Sequence, residues 1–322
     1  MHKKISVVIP TYRRPAYLFN CLEALNQQLL PATQFEVIVV HDGPADWDEV
    51  RTVKNHTFRY ELTFIQTNDK KGPAAARNIG WLKAKYELVA FTDDDCLPDV
   101  HWLKELTDAY HFEPLVAYSG KTVVPLPENP NDFEYNMAGL EQADFITANC
   151  ACTKKALIKI GGFDERFGMA WREDTDLEFK LIKHKIPIWR NSAAIVVHPT
   201  KKAEWGVSLK EQKKGFYDVL LFKKYPQLYR QKVQAQPLWN YYAIILLTTL
   251  LTYSILNRNR LLCKITAPLL FLAVGSFFYK RIKNTNVSAG HVAEMLVTSA
   301  LIPFISIYWR IYGIIKFRKL LF

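Results

Sequence analysis

The chain has 322 residues, with 42 Lys and Arg against 31 Asp and Glu and a net charge of +11. That length admits one domain of roughly 200–250 residues plus an appendage rather than two equal domains. The positive excess is not a nucleic-acid footprint. Basic and acidic residues mingle through the first two thirds, and beyond Gln212 acidic residues become rare while Lys and Arg flank apolar runs, as suits an anionic membrane surface.

Residues 5–9 form an apolar, largely β-branched run closed by Pro10, which predicts a strand, and residues 17–29 place apolar positions at helical spacing. A second strand is expected over residues 35–40, stopped at His41-Asp42-Gly43-Pro44, and a short third over 61–66. Residues 74–85 predict a helix, and 88–92 a strand that runs into Asp93-Asp94-Asp95. Strand, loop and helix recurring at this spacing indicate an α/β, Rossmann-like sheet whose active loops gather at the carboxyl ends of its strands. Residues 110–145 carry Pro114, Pro125, Pro127 and Pro130 and predict a strand followed by an irregular excursion. Extended structure resumes over 144–153. A short helix over 154–160 is closed by Gly161-Gly162, and a further helix is expected over 174–183. Residues 195–197 give a last short strand before His198-Pro199.

From about Leu238 the character changes. Residues 238–256, 261–279 and 295–315 are mainly apolar, bounded by Arg and Lys, and near the length that crosses a hydrocarbon layer of about 30 Å. Basic residues occur in every connection, so charge asymmetry fixes no orientation. The division expected is a catalytic domain over 1–230 and a hydrophobic helical, membrane-associated region over 231–322, with a helical packing domain as the alternative. Met1 to Lys4 lead only into a strand-length apolar run, so no secretory signal is expected and the first domain is placed in the cytoplasm, at an inner or plasma membrane. The five cysteines have neither metal-site spacing nor an even disulfide framework.

Two acidic clusters carry the chemistry. If the strand ends at Thr92, the following turn can aim Asp93 and Asp95 into one cavity while Asp94 points elsewhere or supports the loop; hard carboxylate oxygens suit Mg²⁺ or Mn²⁺. Capping of a turn is the competing role. His198 is positioned either to meet the same metal or a phosphate, or to bond loop backbone. The second cluster is Trp171-Arg172-Glu173-Asp174. Asp174 is the candidate general base for an acceptor hydroxyl, with Glu173 orienting the loop or touching acceptor; helix capping would explain either carboxylate alone. Trp171 is a candidate sugar-stacking wall or a packing residue. Neither a phosphate-binding P-loop nor a GxGxxG dinucleotide fingerprint is present.

Taken in order, Val7-Val8-Ile9-Pro10-Thr11-Tyr12-Arg13-Arg14, His41-Asp42-Gly43, the run from Gly72 to Gly80, Asp93-Asp94-Asp95, Asn149, Gly161-Gly162-Phe163-Asp164-Glu165-Arg166-Phe167 and Trp171-Arg172-Glu173-Asp174 closely resemble the inverting glycosyltransferases of family 2, over roughly residues 5–200. The resemblance implies a GT-A fold and a nucleotide-diphosphate sugar donor. Pro10, Thr11 and Tyr12 would then border the nucleotide and Asp42 bind its base, uracil or another pyrimidine-like edge. It also implies Arg77 near the donor phosphates, Asp93 near ribose and metal, Asp95 on the metal, and Asp174 as base. His41 departs from the acidic residue frequent there, and Arg77 has the alternative of a helix-face ion pair. The expected reaction moves one sugar to the hydroxyl of a saccharide or glycolipid acceptor at a membrane, in surface polysaccharide or glycolipid synthesis. The alternatives are a processive polysaccharide synthase, although no QxxRW motif occurs, and a membrane-tethered sugar-nucleotide-binding protein without catalysis.

Overall fold

The computed structural model describes residues 3–44, 50, 51, 53 and 55–321. Contacts divide the chain into two compact units: an α/β unit of Met1–Pro125 with Ala138–Thr200, and a helical unit of Leu126–Met137 with Lys201–Phe322.

The α/β unit is built on an eight-stranded sheet of order β3-β2-β1-β4-β7-β6-β8-β5. Its strands are β1 Ile5–Thr11, β2 Phe35–His41, β3 Glu61–Gln66, β4 Leu88–Phe91, β5 Leu97–Pro98, β6 Ala117–Val123, β7 Cys150–Thr153 and β8 Ile188–Val197. β1, β2, β3 and β4 pair in parallel; β7 runs antiparallel between β4 and β6, and β8 is parallel to β6. β1 and β2 are buried along their whole length. They read as continuous apolar runs because both sheet faces are covered. Ile5, Val7 and Ile9 pack on Leu18, Leu22 and Leu25 of α1 (Pro15–Asn26), whereas Val8 enters the opposite cluster with Ala74, Ala76 and Trp81 of α2 (Pro73–Lys83). This is the two-residue alternation of a strand feeding two separate cores.

Gly80 sets the spacing of α2 on the sheet, since a Cβ there would come within 2.3 Å of Val8 Cγ1. Helices α3 (Trp102–Ala109), α5 (Lys154–Ile160) and α6 (Glu173–Lys183) complete the layers. Gly161 ends α5 in the left-handed conformation, φ 72°, as its C-cap position expects. β8 begins at Ile188, seven residues ahead of the strand expected from 195, because pairing with β6 overrides the polar Arg190-Asn191-Ser192 stretch through a register shift at Gly120/Lys121.

In the helical unit, α4 (Asp132–Met137) forms within the proline-rich excursion, and α7 (Val207–Glu211), α8 (Gly215–Lys224) and α9 (Pro226–Lys232) follow. The three apolar stretches are α10 (Trp239–Leu256), α11 (Arg260–Ile282) and α12 (Ala289–Phe317), each long and apolar enough to cross a membrane. Only 6% of the apolar window of α11 is buried, against 33% for α12, so α12 is the helix the others pack around. Arg281 Nη2 donates to Asp132 Oδ2 at 2.7 Å and Nη1 to Thr298 Oγ1 at 2.7 Å, while Arg310 pairs with Asp218 at 3.1 Å.

Candidate functional site

The carboxyl ends of β1, β2 and β4 form one rim. β1 carries Thr11 level with His41 of β2, whereas β4 stops at Phe91 opposite Val8. Residues 92–95 therefore pass beside the end of β1: Thr92 N–H donates to Val8 O at 3.3 Å and Thr11 Oγ1 donates to Asp94 Oδ2 at 2.8 Å. Asp94 thus has the supporting position expected of it. Burial, then the Asp95 charge, push its carboxyl up to about 6.

Asp93, Asp95, Cys96 and His198 place ligand-capable atoms within 4.8 Å of one another. His198 is held by its N–H to Val123 O at 2.8 Å, which sets Nε2 at 3.5 Å from Asp95 Oδ1; Nδ1 lies 3.3 Å from Pro199 O. The backbone contact, one of the two alternatives read from the sequence, is present, and Nε2 also approaches Asp95. The two carboxylates fit Mn²⁺ or Mg²⁺, and the imidazole is the softer member of the set. Cys96 was not foreseen. Burial raises its thiol well above the ordinary value, which leaves it protonated and a poor partner for a hard ion. Arg14 was also missed as a site residue: Nη1 sits 3.1 Å from Asp95 Oδ2 and 3.4 Å from Asp94 Oδ1.

Arg77 on α2 is enclosed, and its two terminal nitrogens diverge. Nη2 donates to Asp93 Oδ1 at 2.6 Å and Nη1 to Glu173 Oε1 at 3.1 Å. One guanidinium therefore joins two clusters separated by 80 positions of chain. Its Nε and Glu173 Oε2 are buried without a hydrogen-bond partner, so the pair retains polar capacity that it does not use internally. Burial, then the Asp174 charge, push the Glu173 carboxyl up to about 7 against the opposing pull of Arg77.

The N-cap of α6 is Arg172, in the left-handed region at φ 73° with no side-chain cap. Glu173 and Asp174 are the first helical residues, and neither is the cap. Asp174 is half-buried; its Oδ1 accepts Thr175 N–H at 2.6 Å and Thr175 Oγ1 at 3.1 Å. Trp171 is half-buried, with the Arg172 guanidinium 4.5 Å from its ring centroid.

On the β2 side, both oxygens of Asp42 are engaged: Lys71 N–H donates to Oδ1 at 2.7 Å and Gly72 N–H to Oδ2 at 2.8 Å. This stitches β2 to the loop before α2, where Gly72 has φ 101° and a Cβ would meet the Gly168 backbone at 2.7 Å. The Lys70 ammonium lies 3.6 Å from the Tyr12 ring centroid and His41 Nδ1 is 2.8 Å from Gly43 O. Pro10 and Thr11 are buried, and Tyr12 is half-buried at the rim. The expected site residues thus distribute over three settings: the aspartate turn with His198, the head of α6, and the ends of β1 and β2.

Residues 6–166 match the family described as Glycosyl transferase family 2. The chain is 30% identical over 226 residues to the pre-mycofactocin glycosyltransferase of Mycobacterium tuberculosis, covering 63% of this chain and 45% of that protein. It is 24% identical over 274 residues to the hyaluronan synthase of Pasteurella multocida, covering 71% of this chain and 28% of that protein. The chain thus spans less than half the length of either relative. Among solved structures it resembles a mannosyltransferase from Pyrobaculum calidifontis in complex with GDP-Man and Mn²⁺. The TM-score is 0.56 and the identity 18%, over 98% of this chain and 87% of that one, a likeness of fold.

Proposed function

We propose a reaction for a chain that belongs to glycosyltransferase family 2 and has the GT-A fold: transfer of one sugar, with inversion, from a nucleotide-diphosphate sugar to an acceptor hydroxyl. The observation that carries it is the Arg77 bridge, which sets Asp93 and Glu173 on one guanidinium at 2.6 and 3.1 Å. A cation-binding group and the residue beside the candidate base, Asp174, thereby share one site, as a single displacement requires.

In this reading Pro10, Thr11, Tyr12 and Asp42 border the nucleotide. Asp42 contributes by fixing the Lys71–Gly72 loop as well as by any contact to the base, since both its oxygens already accept from that loop. Asp93, Asp95 and His198 would hold a divalent cation, Mn²⁺ or Mg²⁺. When bound, that ion supplies charge neutralisation to the departing diphosphate. Asp174 takes the proton of the acceptor hydroxyl as the oxygen bonds to the anomeric carbon and the bond from that carbon to the diphosphate oxygen breaks. Glu173, enclosed and tied to Arg77, positions the head of α6, and Trp171 walls the acceptor side. Arg77 acts on the donor side through Asp93.

In this reading the protein works at a membrane, which the length and apolarity of α10, α11 and α12 support, with the α/β unit on the cytoplasmic face of an inner or plasma membrane and a saccharide or glycolipid acceptor presented there. The catalytic domain is taken as residues 1–230 and the hydrophobic helical region as 231–322.

The test is mass analysis of products after the purified chain is offered a panel of nucleotide sugars and native glycolipid extracts, with and without Mn²⁺ or Mg²⁺. One defined sugar increment is expected, dependent on the ion. Asp174→Asn should lower transfer about 10²–10⁴-fold while donor binding persists; a folded variant that transfers at the wild-type rate removes the base assignment. The likeness to a hyaluronan synthase favours a second reading, repeated addition to a growing chain. Long products at early conversion would select it.

A further inference from the structure

The geometry points to Arg14 as a resident counter-ion of the cation site, displaced when the divalent ion arrives and then available to the donor's diphosphate. This rests on the cation-site reading above and adds a second cationic participant to it.

Two arginines touch the aspartate turn, and they differ in kind. The Arg77 side chain is 2% exposed and bonded at both ends, to Asp93 and Glu173. It is a fixture of the core. The Arg14 side chain is 47% exposed, yet the carboxylates it reaches, Asp94 and Asp95, are only 6% and 5% exposed. It enters from solvent and lays Nη1 between two nearly enclosed oxygens, at 3.4 Å from Asp94 Oδ1 and 3.1 Å from Asp95 Oδ2. Asp95 is therefore approached by cationic or cation-capable groups on both oxygens, His198 at Oδ1 and Arg14 at Oδ2.

A guanidinium and a divalent ion cannot both claim the Asp95 carboxylate without facing each other at close range, so their binding is mutually unfavourable. His198 is buried and anchored through its backbone, whereas the Arg14 side chain is half-exposed and reaches Asp95 from solvent. Arg14 also occupies the position just before α1, on the short connection that follows Thr11 and Tyr12. An arginine leaving Asp95 from that anchor stays at the mouth of the same rim, where its planar fork matches phosphate oxygens. The exchange keeps the enclosed carboxylates compensated in the open state and supplies a charge-assisted contact once the diphosphate is seated.

The experiment measures Mn²⁺ binding to the full detergent-solubilised chain by the electron paramagnetic resonance of free Mn²⁺, without nucleotide. It then measures UDP and GDP binding at saturating Mn²⁺ by calorimetry. Arg14→Ala is expected to bind Mn²⁺ about two- to fivefold more tightly, the scale of an ion pair with a half-exposed partner. The same variant should bind the responsive diphosphate about tenfold more weakly, the scale of a lost charge-assisted hydrogen bond. Arg14→Lys should fall between the two, because it keeps the charge and loses the fork. Equal or weaker Mn²⁺ binding by Arg14→Ala overturns the displacement, and unchanged diphosphate affinity overturns the second role. Asp95→Asn separates this failure from that of the underlying reading. If the wild type binds no Mn²⁺, or binds it regardless of Asp95, the cation site itself is lost. If Mn²⁺ binding depends on Asp95 but not on Arg14, only the present inference falls.

Discussion

The two units of the chain differ in what they leave outside. In the α/β unit the apolar side chains form the two cores, and buried charged groups such as Arg77, Glu173, Asp42, Asp94 and Asp95 gather at the site. In the helical unit Phe271 and Leu256 are 78% and 76% exposed, while Arg281, Asp132, Thr298 and Ser299 are drawn together within it. Water rewards the first arrangement, and a hydrocarbon phase rewards the second, where polar groups must find protein partners. The comparison teaches that a buried arginine means different things in the two settings. Arg77 links two functional clusters; Arg281 gathers α4, α7, α11 and α12 around one guanidinium.

The largest effects should come from breaking these two pairs. Arg77→Met leaves Asp93 and Glu173 without their shared partner and should cost about 3–5 kcal/mol of stability, together with transfer activity. Arg281→Met strands Asp132 and should destabilise by a similar amount while leaving the chemistry of the α/β unit in place. Thermal unfolding in detergent, paired with donor binding, reads both. A mild Arg281→Met beside a severe Arg77→Met would break the parallel, and would mean that water or lipid headgroups reach Asp132.

A smaller and more pointed contrast comes from one substitution made in each unit. Gly80→Ala drives a Cβ to 2.3 Å from Val8 Cγ1 and should cost about 1–3 kcal/mol by overpacking α2 on β1. Gly275→Ala in α11 meets nothing within 4 Å and should gain up to about 1 kcal/mol from helix propensity. Opposite signs in the unfolding midpoint are the expected result. A destabilising Gly275→Ala would show that another chain or helix covers that face of α11.

The difference between the units also explains what could be read from the residues in order. Strands β1, β2 and β4 were legible because burial on both faces makes them unbroken apolar runs, and α10, α11 and α12 because length and hydropathy are local properties. The acidic clusters were legible as residue types, but their partners were not. That Asp94 bonds Thr11 depends on β4 ending three residues short of β1, and that Asp42 holds the Lys71 and Gly72 amides and Arg77 spans Asp93 and Glu173 depends on segments far apart in the chain meeting at one rim. Strand register is a tertiary quantity. Arg14 gave no signal because it lies in a basic pair beside Arg13, and only the path of residues 92–95 brings carboxylates to it. α4 was hidden by the prolines around it, and its Asp132 finds Arg281 across 149 positions of chain.

The smallest expected effect is a change of slope. Glu173 faces Arg77 and Asp174, and its carboxyl is pushed from an ordinary value of 4.5 up to about 7, by burial first and Asp174 second. Between those values the folded protein holds a proton that the unfolded chain has released, so stability falls as pH rises through that window. Asp94, raised to about 6 from 3.8, adds a fall of the same sign just below it. Glu173→Gln cannot titrate at that position and keeps only the Asp94 part. Unfolding midpoints of the two proteins measured from pH 5 to 8 should therefore diverge, with the wild type declining more steeply toward pH 7 whatever its absolute stability. Because both proteins contain the same helical unit, any pH response arising there cancels in the difference. Parallel curves would mean that Glu173 is ionised throughout the window, with the Arg77 charge outweighing both burial and Asp174. The enclosed bridge would then be a permanent ion pair.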